Sequence, residues 1–272
     1  MAIKVYILKK SIMKSSVDEY LEMKAEIKEK KRLEKQTNPE KTLEEKQKKD
    51  LRAVFVSTSD TALQALEIAG ISYEGDIDLD DIEFCKVESQ QKCICGNLHI
   101  PKLSDVLGEK IRMYFFANRR NIVIIDDEEF AEKLIKRIIA SRTKPGQSRE
   151  RFLYSFCIKF MDTDLDNLGR YEKKIMQIEE QITLDDLDDV TTKIAHLRKE
   201  LLILREYYDE LHDFGKQLEE NENNFFSGKN LAYFGTISDR ADRLMGRTMY
   251  LLDYIGQVRD TYQGKVAEHQ NA

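Results

Sequence analysis

One apolar stripe runs through the last part of the chain, and it restricts the fold more than any other feature. Apolar or small residues recur there every three or four positions, at Ile237, Ala241, Leu244, Thr248, Leu251, Ile255, Val258, Tyr262 and Val266. This spacing predicts one helix with a single apolar face. A helix of about 40 residues is about 60 Å long. One compact domain cannot cover that length, so the helix needs the preceding helices or copies of itself as partners.

The segment before it is also helical. Apolar residues keep helical spacing from Phe152 to Ile182, and a second set from Val190 to Leu218 follows heptad spacing. Joined at Thr183–Asp186, the two helices predict an antiparallel hairpin over residues 146–230, and Asn221–Asn230 then breaks the pattern. Four aspartates, at positions 185, 186, 188 and 189, are expected in the first turns of the second helix, where they complement its dipole. Residues 231–272 form the last helix.

The first half alternates strand and helix signals. Strands are predicted at Ile3–Leu8, Ala53–Ser57, Ile82–Glu88, Lys92–Ile100, Lys110–Ala117 and Asn121–Asp126. Helices are predicted within residues 16–50, with a break near Asn38-Pro39, and at Thr61–Ala69 and Phe130–Ile139. The last two strands form a hairpin. A turn-rich segment at Lys144–Ser148 marks a boundary. The sequence thus predicts an α+β chain in which a mixed α/β domain over 1–145 precedes the long helices.

Composition excludes several classes of protein. A net charge of −6 argues against a nucleic-acid partner. No apolar run approaches the roughly 20 residues of a membrane span. The four cysteines, without a secretory signal, indicate a reducing compartment. Cys93 and Cys95 lie one residue apart, which is not the usual spacing of a zinc site.

No enzymatic motif is present. The chain has no phosphate-binding glycine loop, no nucleophile motif and no ligand spacing among its four histidines. Asp162–Asp166 begins like a calcium loop, but Asn167 and Lys173 occupy the positions that need Gly and Glu. We therefore expect no enzyme and no small-molecule substrate. The chain has many carboxylates and no set of Cys or His metal ligands, and this composition is compatible with a site for a hard cation such as Mg²⁺.

The segment Arg247–Gln263, together with Asn271, resembles the stalk helix of the CorA family of magnesium and cobalt transporters. The order of an α/β domain, a long helix, a returning helix and a stalk is also similar. The resemblance implies a homopentamer whose stalk helices surround a pore. It also implies two membrane helices and a Gly-Met-Asn loop beyond Ala272. In the full-length protein the location would be the cell (inner) membrane, with this portion in the cytoplasm.

The resemblance also assigns roles to individual residues. Asp260 and Asn271 match pore-facing positions. Ligands for a regulatory Mg²⁺ ion, or for Co²⁺ or another divalent cation, fall at or near Glu67, Asp239 and Asp162. This match is incomplete, because Ile68 follows Glu67 where a second acid is expected and Thr236 stands at the stalk acid's position. An altered metal-sensing pair would change the gating or the ion that is sensed.

A second interpretation remains open: a soluble coiled-coil scaffold or interaction protein with an α/β head. A scaffold would respond to Mg²⁺ only through ionic strength, whereas a metal sensor would be stabilised by it.

Overall fold

The computed structural model describes residues 2–37, 50–141 and 148–271. Within these ranges the first half contains a seven-stranded sheet in the order β2-β1-β3-β7-β6-β5-β4. Its strands are β1 (Lys4–Leu8), β2 (Ile12–Ser15), β3 (Ala53–Ser57), β4 (Lys86–Ser89), β5 (Ile94–Lys102), β6 (Asp105–Ala117) and β7 (Ile122–Ile125). β3 and β7 pair in parallel, and the other neighbours are antiparallel. The predicted hairpin is β6–β7.

Helices cover both faces of this sheet. Helices α1 (Val17–Thr37) and α2 (Ala62–Ala69) pack on one face through Tyr20 and Leu66, and α3 (Phe130–Ala140) packs on the other. Every residue of the central strands β3 and β7 is buried, as expected for strands enclosed on both sides. Gly70 ends α2 with φ 68°, a left-handed conformation that glycine adopts without strain.

Four helices make up the second half. They are α4 (Arg149–Phe160), α5 (Asp164–Thr183), α6 (Val190–Glu220) and α7 (Ala232–Asn271). The predicted stripe is buried in α7 from Ile237 to Val258, which includes every member except the last two, Tyr262 and Val266. The α+β class is confirmed. One hydrophobic core continues from the α3 face of the sheet through all four helices.

Polar contacts fix how α7 lies against α5. Arg247 Nη2 donates to Glu172 Oε2 at 2.5 Å, and Tyr254 Oη donates to Glu179 Oε2 at 2.5 Å. His269 Nε2 lies 2.9 Å from Asp185 Oδ2, beyond the end of α5. Residue numbers rise together along both helices, so α5 and α7 run parallel while α6 returns between their ends.

Several expected bounds differ from the structure. The predicted strand Ile82–Glu88 forms only at β4, Lys86–Ser89. The expected helix from Phe152 to Ile182 is interrupted at residues 161–163. The aspartates at 185–189 precede α6 and do not form its first turn. The predicted break near Asn38-Pro39 lies outside the described residues, as does the boundary at Lys144–Ser148 except for Ser148, so the division into domains stays a prediction.

No helix in the described ranges has the length and apolar character to cross a bilayer.

Gly215 allows α6 and α7 to pack closely against each other. A Cβ at Gly215 would lie 2.4 Å from Ser238 Oγ and 2.8 Å from Ser238 N. We expect Gly215→Ala to lower the free energy of unfolding by about 1–3 kcal/mol, since the two helices must separate. Gly169 on α5 is the matched control, because an added Cβ there meets nothing within 4 Å.

Urea denaturation measures both variants. Gly169→Ala should raise stability by about 0.5–1 kcal/mol through helix propensity alone. A Gly215→Ala variant as stable as Gly169→Ala would contradict the close packing of α6 on α7.

Candidate functional site

The long helix α7 carries a second line of residues on the side away from its buried stripe. This line recurs every three or four positions and consists of Asp239, Asp242, Gly246, Met249, Asp253, Gly256, Asp260 and Gln263. All are exposed except Gly256, which is half-buried, and Met249 is 50% exposed. We call this line the open seam. It has heptad spacing like the buried stripe, but four of its eight members are aspartates and two are glycines.

Acidic residues recur along the open seam. Asp239, Gly246, Asp253 and Asp260 are spaced by seven, so they follow one line down the helix. A Cβ added at Gly246 or Gly256 would meet nothing within 4 Å, so the surface there is open. Exposed carboxylates in a row produce a negative potential that concentrates hydrated cations.

The two pore-facing candidates lie at the far end of α7. The Asp260 side chain is 66% exposed, and its Oδ1 accepts a hydrogen bond from Arg259 Nη2 at 2.8 Å. Asn271 is exposed and donates to the Ala267 carbonyl at 2.8 Å. They are separated by about three turns, so they point to the same side of the helix.

The regulatory candidates are not brought together within one protomer. Glu67 lies on the exposed side of α2, and Asp239 lies near the start of α7. Neither carboxylate has a hydrogen bond or ion pair with the described residues. Their charges are therefore free to bind a ligand from solution or from another copy.

Asp162 has a different environment. It lies in the interruption between α4 and α5, where its Oδ2 is 2.7 Å from Lys159 Nζ and 3.9 Å from Arg137 Nη2. A metal ion at Asp162 would have to displace or compete with these two cations.

No ready-made metal site is present within one copy of the described chain. Its Asp, Glu, His and Cys side chains form no group of three that could hold a metal ion. All four cysteines are buried and free, and burial raises the pKa of Cys95 and of Cys157 to about 12. They are therefore protonated thiols that pack in the core.

No local sequence pattern indicates the buried ion pair at the start of α4. Arg149 and Glu150 are 6% and 2% exposed, and Arg149 Nη2 is 3.6 Å from Glu150 Oε1. Arg149 donates to the carbonyls of Asn118 and Phe225, the latter at 2.9 Å. Its partners are 31 and 76 positions away, which is why no local pattern could indicate them.

The charges of this pair are maintained by hydrogen bonds. Burial lowers the pKa of Arg149 to about 10, and the nearby Glu150 opposes that shift. Burial alone would raise the pKa of Glu150, but the hydrogen bond from the Ser227 N–H and the charge of Arg149 outweigh it, so the pKa is lowered. Both groups are therefore charged at neutral pH.

Comparison with known sequences gives one family. The family described as CorA-like Mg²⁺ transporter protein matches residues 53–272. No curated protein sequence matches the chain.

Solved structures share the fold at low sequence identity. The soluble domain of CorA from Methanocaldococcus jannaschii has a TM-score of 0.63 and 13% identity, and 97% of each chain is covered. The complete CorA magnesium transporter from the same organism has a TM-score of 0.69 and 12% identity over 100% of this chain and 79% of that one. The ZntB cytoplasmic domain from Vibrio parahaemolyticus has a TM-score of 0.67 and 10% identity, and the match covers 98% of this chain and 100% of that one.

Proposed function

The chain belongs to the CorA-like Mg²⁺ transporter family, whose members carry divalent cations, and from this premise we propose that it is the cytoplasmic, metal-sensing part of such a transporter. In this role α7 positions the pore, and the rest of the chain holds α7 in place. The observation that carries the proposal is the open seam. A helix that serves only its own protomer needs one buried stripe, and α7 has a second heptad line.

The open seam fits a position around a central axis. Copies of α7 related by rotation would bring Asp239, Asp253 and Asp260 into successive rings of carboxylates. Such rings attract hydrated divalent cations and repel one another until a cation is bound. The small residues Gly246 and Gly256 leave room for the ions and their water. We propose a homopentamer, the assembly implied by the resemblance, located at the cell (inner) membrane, with Asp260 and Asn271 near the mouth of the pore.

Sensing of Mg²⁺ would use carboxylates from neighbouring copies. Glu67 and Asp239 are exposed and have no polar partner among the described residues. Each would supply one carboxylate, which suits a cation that keeps several of its waters. A bridging ion would offset the repulsion between acidic surfaces and favour the closed ring. Asp162 would join this site only by giving up its contact with Lys159. The ion sensed would be Mg²⁺ or a similar divalent cation such as Co²⁺.

Thermal denaturation with and without MgCl₂, at constant ionic strength, tests the sensing role. A ligand at 100 times its Kd stabilises a protein by about 2.7 kcal/mol. We expect Mg²⁺ to raise the Tm of the wild-type chain and to raise it much less in Glu67→Ala plus Asp239→Ala.

The control is Asp60→Ala plus Asp213→Ala, which removes two exposed carboxylates elsewhere. It should keep the full response to Mg²⁺. A wild-type chain that ignores Mg²⁺ would favour the scaffold interpretation. A response that survives in the Glu67 and Asp239 variant would remove these two residues from the account.

A further inference from the structure

A polar cavity of about 580 Å³ lies where the sheet meets the helices, away from the open seam. Its wall is formed by the segment before β3, the β6–β7 turn, the start of α4 and the loop between α6 and α7. Four arginines line it, Arg52, Arg119, Arg120 and Arg149, with two carboxylates, Asp50 and Glu150. Arginine is the side chain best suited to planar, bidentate recognition of phosphate.

Both carboxylates are already engaged. Asp50 forms ion pairs with Lys31 and, at 3.5 Å, with Arg120. Glu150 accepts hydrogen bonds from the Ser227 N–H at 3.0 Å and from Asn230 Nδ2 at 3.3 Å. Glu150 also lies 3.6 Å from Arg149 Nη2, but four arginines against two carboxylates leave the lining of the cavity with a net positive charge.

Two arginines retain free donors. Arg149 is 6% exposed, yet its Nε has no hydrogen-bond partner among the described residues. An unused N–H in a buried guanidinium is costly unless a ligand or water accepts from it. Arg119 is exposed at the rim and forms no ion pair with any described residue.

The cavity wall is held rigidly in advance of binding. Asn221 accepts from the Phe226 N–H at 2.9 Å and donates to the Phe226 carbonyl at 3.0 Å, which closes the loop between α6 and α7. Arg149 Cζ lies 5.4 Å from the centre of the Phe226 ring, which fixes the guanidinium plane. Rigid walls reduce the entropy cost of binding.

We propose that this cavity is a binding site for a phosphate group, held by Arg52, Arg119 and Arg149. A phosphate there would link the sheet to the loop at the base of α7, so its binding would stabilise the junction between the two halves. The same chemistry is presented by free inorganic phosphate and by the phosphates of a nucleotide.

Isothermal titration calorimetry on the whole chain tests the site, with EDTA present and ionic strength held constant with NaCl. One arm uses inorganic phosphate and the other a nucleoside triphosphate. We expect one of the two to bind, and Arg52→Gln plus Arg119→Gln to weaken that binding at least tenfold. Arg198→Gln, at an exposed position on α6, is the matched control and should bind like the wild type.

The outcomes are distinct. Binding of inorganic phosphate supports a site for the free anion, and binding of the triphosphate alone supports a nucleotide site. Absence of binding in both arms overturns the proposal. So does binding that Arg52→Gln plus Arg119→Gln leaves unchanged, provided circular dichroism shows that both variants are folded.

Discussion

Replacing Arg149 by methionine is expected to lower the free energy of unfolding by about 3–5 kcal/mol, the usual cost of breaking a buried ion pair from one side. Met has a similar length and fills the same space, so packing changes little. The Glu150 carboxylate would stay buried without its cation. The carbonyls of Asn118 and Phe225 would also lose the donors that Arg149 supplies.

Urea denaturation at pH 7 measures this loss. Arg198→Met, at an exposed site, should change stability by less than about 0.5 kcal/mol. Adding Glu150→Gln to Arg149→Met should recover part of the loss, since it removes the uncompensated charge. An Arg149→Met variant within about 1 kcal/mol of the wild type would show that the pair does not hold the junction of sheet and helices.

Asp164→Asn is expected to stabilise the protein at neutral pH. Asp164 begins α5 and is 2% exposed, and burial raises its pKa from 3.8 to about 6, although the nearby Tyr208 hydroxyl and the charge of Arg240 work against that shift. Because the pKa is higher in the folded state, ionisation opposes folding. The wild type therefore loses stability as pH rises from about 4 to about 6. At 1.36 kcal/mol per pKa unit, that loss is at most about 3 kcal/mol.

The measurement is the difference in unfolding free energy between variant and wild type from pH 4 to pH 7.5. The variant should be the more stable by up to about 3 kcal/mol at pH 7, and the difference should shrink towards pH 4. Asp166→Asn removes an exposed carboxylate from the same helix turn and is the matched control with which the pH profile of Asp164→Asn is compared. A flat difference for Asp164→Asn would mean that its carboxyl is not forced into its neutral form.

The long helices could be predicted from sequence because their signal is local. The stripe from Ile237 to Val258 repeats within one helix, and each member is buried as expected. The strand hairpin β6–β7 can be predicted equally well, since strong apolar runs flank a short polar turn. These features depend on neighbours in sequence and not on partners elsewhere in the chain.

The interruption between α4 and α5 could not be predicted in the same way. No proline or glycine lies at residues 161–163. Arg240, from α7, donates to the Met161 carbonyl at 3.0 Å, where the α4 hydrogen-bond ladder stops. A contact across 79 positions thus helps to satisfy the backbone group that the break leaves open.

The true extent of β4 also depends on distant residues. The Cys85 N–H donates to Glu210 Oε2 at 2.8 Å, and the Val87 N–H donates to Gln217 Oε1 at 3.0 Å. Side chains of α6 therefore cover the outer edge of the sheet, as protected edge strands require. The apolar residue Ile82 indicated an earlier start for this strand, although it packs in the core without joining the sheet.

The candidate metal positions were chosen by resemblance, and the structure adds their surroundings. It shows Glu67 and Asp239 without partners among the described residues, and Asp162 beside two cations. It also adds the open seam, a pattern present in the sequence at heptad spacing. Apolar periodicity does not indicate the seam, because most of its members are Asp or Gly.

Cross-linking through Gly246 tests the central claim that the open seam faces other copies of the chain. The native cysteines are buried, so Gly246→Cys introduces one accessible thiol at a point where the surface is open. With a short bismaleimide and MgCl₂, the account predicts covalent dimers for Gly246→Cys and none for Arg198→Cys on the exposed face of α6. Gly246→Cys that stays monomeric, or that cross-links no more than Arg198→Cys, would contradict the claim.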